Sequence, residues 1–126
     1  MAAKRIVIVD DEPNIGLSLQ LILEREGYLV VICHSAAEFR SRSAAQRAEA
    51  YLLDVRLPDG TGVELCQKLR ELNSEIPILY YSAYGDEADH QKALQTCGDA
   101  YLKKPVCIAD IQETIARLLA AASEDH

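Results

Sequence analysis

Three carboxylates follow short apolar runs in two separate parts of the sequence. Asp10 and Asp11 follow the β-branched run Ile6–Val9. Asp54 follows Tyr51–Leu53. Such runs are typical of buried strands, and carboxylates that lie within a few ångströms of one another repel unless a cation lies among them. Mg²⁺ takes oxygen ligands and keeps water or phosphate oxygens in its remaining positions, so the pattern predicts a magnesium site at the ends of two strands.

Two further polar side chains follow the later apolar runs. Ser82 ends the run Ile76–Tyr81, and Lys104 comes shortly after Ala100–Leu102. A phosphoryl group drawn to the cation would meet the Ser82 hydroxyl and the Lys104 ammonium, and one carboxylate would attack phosphorus to form an acyl phosphate. Each residue alone also has an ordinary structural explanation, since acidic residues often cap helices. The joint placement is what indicates a phosphoryl-transfer site.

The elements that must position these residues alternate along the chain. The strand patterns are Ile6–Val9, Tyr28–Cys33, Tyr51–Leu53, Ile76–Tyr81 and Ala100–Leu102. Between them lie helical patterns: one ended by Gly27, two begun by capping boxes at 35–38 and 61–64, one over about Asp86–Thr96 and a last one from Ile108. This alternation predicts an α/β doubly wound (βα)5 flavodoxin-like domain, whose five-stranded parallel sheet has the order 2-1-3-4-5 and helices on both faces. Ligands of such sheets bind at the carboxyl ends of the strands, where the polar residues fall.

Size, charge and cysteine spacing limit the classes of function. The 126 residues predict a single domain over 1–126, with a core at about 4–120 and a tail or linker start at 121–126. A net charge of -7 argues against direct nucleic acid contact by this domain. No apolar run is long enough to span a membrane and no signal peptide precedes the first strand, so we expect a cytoplasmic protein without membrane contact. The four scattered cysteines are expected to be small buried hydrophobic residues, with zinc binding as a weak alternative.

Four motifs resemble those of the receiver domain of two-component response regulators. They are IVIVDDEP, YLLDVRLPDGTGVEL, ILYYSAYG and DAYLKKP, and together they span about residues 4–120 in family order. The resemblance implies that Asp54 is the phosphorylated aspartate. It also implies that Asp10, Asp11, Asp54 and the backbone carbonyl of Arg56 bind Mg²⁺, with Asp11 in direct contact and Asp10 mainly acting through water.

The resemblance further implies a conformational switch. Ser82 matches the switch hydroxyl, Tyr101 the aromatic switch position and Lys104 the lysine beside the phosphoryl group. The Lys104–Pro105 peptide bond is expected to be cis. Phosphorylation would draw Ser82 inward, bury Tyr101 and change the face made by the fourth helix, the fifth strand and the fifth helix, through which a homodimer would form.

The implied function is that of a phospho-accepting signalling switch in a His-to-Asp phosphorelay. Asp54 would receive its phosphoryl group from a sensor histidine kinase or a phosphotransfer domain. The protein would catalyse only its own phosphorylation and dephosphorylation, so it is not expected to be an enzyme in the usual sense. The motif LPDGTGVEL resembles receivers at the amino terminus of transcriptional regulators, and a stand-alone response regulator is the alternative.

Two other classes of protein share parts of this pattern. A haloacid-dehalogenase-type phosphatase also uses an aspartate nucleophile after a strand, but it needs a second acid where Arg56 stands. A flavodoxin-like cofactor module needs a phosphate-cradling loop after the first strand, and the loop at Asp10 and Asp11 is acidic instead. Both are more distant alternatives.

Overall fold

The computed structural model describes residues 3–42, 45, 47–72, 75–82, 98–103 and 107–124. Its sheet consists of five strands: β1 (Arg5–Val9), β2 (Leu29–Cys33), β3 (Ala50–Asp54), β4 (Ile78–Ser82) and β5 (Ala100–Lys103). All neighbouring strands are parallel, and their order is β2-β1-β3-β4-β5. The predicted doubly wound α/β fold and its strand order 2-1-3-4-5 are therefore confirmed.

Within the described residues, four helices connect or follow these strands. They are α1 (Pro13–Arg25), α2 (Ala36–Ser41), α3 (Gly62–Leu72) and a C-terminal helix (Ile108–Glu124). The helix predicted over about Asp86–Thr96 lies outside the described residues. Across the described parts of the chain, no helix combines the length and apolar character needed to cross a membrane.

The helix boundaries follow from local sequence signals. Gly27 has a φ of 97°, a left-handed conformation that glycine adopts easily. It follows the end of α1, as the sequence analysis predicted. Ser35 caps α2 by accepting a hydrogen bond from the Glu38 N–H at 3.0 Å. Thr61 accepts one from the Glu64 N–H at 3.2 Å at the start of α3. The helix starts that the two capping-box sequences predicted, near residues 36 and 62, are therefore confirmed.

The sheet separates two apolar clusters because successive residues of a strand point to opposite faces. Val7 and Leu53 pack on the side of α2 and α3, whereas Ile6 and Leu52 pack on the side of α1 and the C-terminal helix. All five residues of β3 are buried, as expected for a central strand covered on both faces. The polar residues of β1 and β3 are thereby confined to the strand ends.

A short hairpin between β3 and α3 was not predicted. Its strands, Arg56–Leu57 and Gly60–Thr61, pair in antiparallel orientation. Two-residue strands leave no apolar alternation from which a sequence pattern can identify them. The hairpin begins at Arg56, two residues after Asp54, so its first residue lies next to the site.

The cysteines follow the expectation only in part. Cys33 is a buried free thiol, and burial raises its pKa to about 11, so it stays protonated at neutral pH. Cys66 is also buried, but it is disulfide-bonded. Cys107 is an exposed free thiol. The expectation of small buried residues is therefore confirmed for Cys33 and Cys66 and wrong for Cys107, whereas the disulfide at Cys66 was not predicted. Cys97 lies outside the described residues.

Candidate functional site

Asp10, Asp11 and Asp54 meet at the carboxyl edge of the sheet. β1 and β3 are neighbours with Val9 opposite Leu53, so Asp10 and Asp54 come next to each other at the ends of adjacent strands. One oxygen of each of the three carboxylates lies within 4.8 Å of the others. The structure thus brings together the three acids that the sequence analysis grouped.

The three carboxylates differ in their access to solvent. Asp10 is fully buried, Asp54 is 6% exposed, and Asp11 lies exposed at the surface. Mg²⁺ binds oxygen ligands and usually keeps several waters. It can therefore bind where some carboxylates are buried and another faces solvent. The donor set therefore fits Mg²⁺, with oxygen atoms from two chain segments and one side open to solvent.

Asp10 is oriented by hydrogen bonds to both of its carboxylate oxygens. The Glu12 N–H donates to Oδ1 at 2.9 Å, and the Tyr81 hydroxyl donates to Oδ2. The Asp10 main chain is also fixed, since its carbonyl oxygen lies 3.2 Å from Nδ1 of His34. Buried charges in proteins are usually satisfied in this way, and the result here is a carboxylate with a defined orientation.

Asp54 is oriented by the hairpin that follows it. The Arg56 N–H donates to Oδ1 of Asp54 at 3.1 Å, which closes a turn two residues long. The Gly62 N–H donates to the Val55 carbonyl at 2.9 Å, so the start of α3 lies directly against the end of β3. These contacts place the Arg56 main chain beside the acidic cluster, while its carbonyl remains a predicted metal ligand.

Tyr81 is the site residue that sequence reasoning missed. The register of β3 and β4 sets Tyr81 opposite Asp54, and its side chain is 1% exposed. Burial, and then the neighbouring charge of Asp10, raise the pKa of Tyr81, so its hydroxyl stays protonated and can donate. The sequence shows Tyr81 as the second tyrosine of a pair near the end of the fourth apolar run. Its contact with Asp10, at the end of β1, can be deduced only from the register of β1, β3 and β4.

The remaining predicted site residues are described only in part. Ser82 ends β4 at the carboxyl edge, where its main chain pairs with that of Lys103. The pair Lys104–Pro105 lies outside the described residues, so the role of Lys104 and the cis bond stay predictions. Tyr101 lies on β5, opposite Tyr80 of β4. Its side chain is partly buried and packs against the apolar cluster on the side of α2 and α3.

Comparison with known sequences gives a family assignment over most of the chain. The family model described as the response regulator receiver domain matches residues 6–116. The alkaline phosphatase synthesis transcriptional regulatory protein PhoP of Bacillus subtilis is 33% identical over 116 residues, which make up 92% of this chain and 48% of that protein. The chain spans about half the length of the curated relatives it matches.

Solved structures share the same architecture. A response regulator receiver domain protein (CheY-like) from Methanospirillum hungatei is 32% identical with a TM-score of 0.89, over 99% of this chain and 100% of that one. A response regulator protein from Burkholderia pseudomallei is 30% identical with a TM-score of 0.80, over 96% of this chain and 69% of that one. The latter was crystallised with a phosphorylated aspartic acid, a calcium ion and citrate.

Proposed function

The chain belongs to the response regulator receiver domain family, and on that basis we propose that it is a signalling switch in which Asp54 accepts a phosphoryl group from a phosphohistidine. The observation that carries the proposal is the meeting of Asp10, Asp11 and Asp54, with one oxygen of each within 4.8 Å of the others. The Burkholderia relative supports it, because that protein carries a phosphorylated aspartic acid and a divalent ion.

In the proposed reaction, a carboxylate oxygen of Asp54 attacks phosphorus. The P–N bond of the phosphohistidine breaks, an acyl phosphate forms on Asp54, and the departing imidazole keeps the electron pair of the broken bond and takes up a proton. The Arg56 N–H holds the Asp54 carboxylate in one orientation during this attack. The protein would catalyse only this transfer and the later hydrolysis, in keeping with the signalling role of receiver domains.

The proposed cofactor is Mg²⁺. It would be held by Asp10, Asp11, Asp54 and the Arg56 carbonyl, and when bound it would neutralise the negative charge that the carboxylates and the phosphoryl oxygens bring together. The exposed Asp11 is suited to direct contact, whereas Asp10 is buried and already holds two donors. This difference supports a direct role for Asp11 and a mainly water-mediated one for Asp10.

The proposed signal passes from the phosphoryl group to the face around β5. The Ser82 hydroxyl and the Lys104 ammonium would bind phosphoryl oxygens, and the movement of Ser82 would let Tyr101 become more deeply buried. Tyr101 is partly buried in the structure, which leaves room for a shift in either direction. The face formed by the fourth predicted helix, β5 and the C-terminal helix is the proposed homodimer surface.

The proposed partners are a sensor histidine kinase or a phosphotransfer domain in the cytoplasm. For the output we propose control of transcription by a longer protein that contains this receiver, because the Bacillus relative is a transcriptional regulatory protein and this chain matches about half of it. A stand-alone response regulator is the alternative. The length of the natural open reading frame decides between the two.

Labelling with a small phosphoryl donor tests the assignment of Asp54. Wild type, Asp54→Asn and Asp110→Asn are incubated with acetyl phosphate and Mg²⁺, and intact masses are measured. Asp110 is a matched control because it is an exposed aspartate on the C-terminal helix. Wild type and Asp110→Asn should gain one phosphoryl group, and chelation of the metal should prevent this gain. Undiminished labelling of Asp54→Asn would refute the proposal.

A further inference from the structure

Tyr81 reaches the acidic cluster across the sheet. It stands on β4 opposite Asp54 of β3, and its hydroxyl donates to Oδ2 of Asp10 at the end of β1. One row of side chains therefore joins three adjacent strands at the carboxyl edge. Tyr81 lies within the motif ILYYSAYG, but the sequence analysis assigned it no role.

The contact adds a restraint on the rotation of the Asp10 carboxylate about its Cβ–Cγ bond. Asp10 holds the Glu12 N–H on Oδ1 and the Tyr81 hydroxyl on Oδ2, and both Asp10 and Tyr81 are buried. A hydrogen bond to a charged group is stronger than one between neutral groups, and it is costly to break when buried. Rotation of Asp10 that turns Oδ2 away from the Tyr81 hydroxyl and toward a cation would break the Tyr81 bond.

We propose that Tyr81 is a positioning residue that sets the cation preference of the site by withholding Oδ2 of Asp10 from direct metal contact. Mg²⁺ accepts this arrangement because it keeps several waters in an octahedral shell, whereas Ca²⁺ takes six to eight oxygen ligands and gains from each additional carboxylate oxygen. Tyr81 therefore favours Mg²⁺ over Ca²⁺. The inference rests on the proposed magnesium site at Asp10, Asp11 and Asp54.

Removal of the Tyr81 hydroxyl tests this directly. Dissociation constants for Mg²⁺ and Ca²⁺ are measured by calorimetry on wild type, Tyr81→Phe and Tyr80→Phe. Tyr80 is the matched control, because it is a buried tyrosine on the same strand that packs on the opposite face of the sheet. The ratio of the Ca²⁺ to the Mg²⁺ dissociation constant should fall about ten- to hundredfold in Tyr81→Phe, as expected for the loss of one hydrogen bond to a charged group. It should not change in Tyr80→Phe.

Two results of this comparison would overturn the inference. One is an unchanged ratio in Tyr81→Phe, and the other is an equal change in Tyr80→Phe. A merely structural role for Tyr81 would weaken the binding of both ions together and leave their ratio unaltered. The Asp10→Asn background adds a further check, because Tyr81→Phe should have no additional effect on the ratio there if it acts through Asp10. The full effect in that background would also contradict the inference.

A measurement on the unaltered protein covers the case in which Tyr81→Phe does not fold. With ¹³C at tyrosine Cζ, NMR in saturating Mg²⁺ should show that the Tyr81 hydroxyl stays hydrogen-bonded and exchanges its proton slowly with solvent. Loss of this protection from exchange with Mg²⁺ bound would overturn the inference. Failure of wild type to bind Mg²⁺ at all would instead refute the proposed function, so the two failures are distinguishable.

Discussion

At the residue scale, Gly62 shows how closely α3 approaches the end of β3. A Cβ atom at this position would overlap the carbonyl oxygen of Asp54 and come within 3.1 Å of its carbonyl carbon and 3.3 Å of Leu53 Cβ. Main-chain atoms cannot move aside as the end of a flexible side chain can. Glycine is therefore required here by space, and its absence would displace Asp54.

We expect Gly62→Ala to lower both stability and labelling. The free energy of unfolding should fall by about 1–3 kcal/mol, the usual cost of forced overpacking, as measured by urea denaturation. Displacement of Asp54 should also slow its labelling by acetyl phosphate. Gly60→Ala is the control, since a Cβ there meets only Glu64 Oε1 at 3.7 Å and Ala36 Cβ at 3.8 Å. Equal stability losses in the two variants would contradict this explanation.

The residues of the site differ in how far the sequence could reveal them. Asp10, Asp11 and Asp54 were predictable because each follows an apolar run, and the carboxyl ends of parallel strands share one edge. Tyr81 was not, because a hydroxyl contact from β4 to β1 depends on side-chain reach across β3. Gly62 was seen only as part of a capping box, and its contact with the Asp54 carbonyl needs coordinates.

At the element scale, the hairpin after β3 is tied to α2 by one aspartate. Asp59 lies in the hairpin turn and accepts hydrogen bonds from the Ala36 N–H at 2.8 Å and the Ala37 N–H at 2.9 Å. These two backbone bonds lower the pKa of Asp59 from its ordinary value of 3.8. The first N–H groups of a helix have no acceptor within the helix. In α2, two of them donate to the carboxylate of Asp59, which belongs to another segment of the chain.

Asp59 should make the free energy of unfolding depend on pH. Because its pKa is lower in the folded than in the unfolded protein, its contribution is fully present above 3.8 and is lost as the pH falls through the folded pKa. Asp59→Asn should therefore unfold at lower urea concentration than wild type at neutral pH. This difference should narrow as the pH drops below 3.8. A difference that widens on acidification would show that the charge of Asp59 does not stabilise the fold.

The main elements were predictable from the sequence, but their junctions were less so. The capping boxes at Ser35 and Thr61 and the stop at Gly27 identified helix ends, because capping geometry is local. The hairpin strands Arg56–Leu57 and Gly60–Thr61 escaped prediction, since they are fixed by contacts with β3 and α3 rather than by their own periodicity. The contact of Asp59 with α2 likewise joins segments more than twenty residues apart.

At the scale of the whole molecule, the fold brings three carboxylates together in a protein that is already negatively charged. The chain carries a net charge of -7, and three carboxylates lie together at one edge of the sheet. Repulsion among them disfavours the folded state in the absence of a cation. The strand order that creates this gathering was predictable, since parallel strands with right-handed crossovers allow few arrangements.

Magnesium should accordingly stabilise the folded protein. An ion that binds only the folded state raises the free energy of unfolding by about 2.7 kcal/mol at about one hundred times its Kd. Thermal or urea unfolding of wild type in MgCl₂ is compared with unfolding in NaCl of equal ionic strength, and with the same pair for Asp11→Asn. The magnesium effect should be smaller in Asp11→Asn. Equal stabilisation by NaCl would mean that general screening, and not a site, is responsible.

The position of the acyl phosphate tests the central claim most directly. Wild-type protein phosphorylated with acetyl phosphate and Mg²⁺ is treated with borohydride, which reduces an aspartyl phosphate to homoserine, and the modified residue is located by tandem mass spectrometry. Modification at Asp54 alone, and none when the metal is chelated, is the result that we predict. Modification at a different aspartate, or the same modification without a divalent ion, would contradict a metal-dependent site built from Asp10, Asp11 and Asp54.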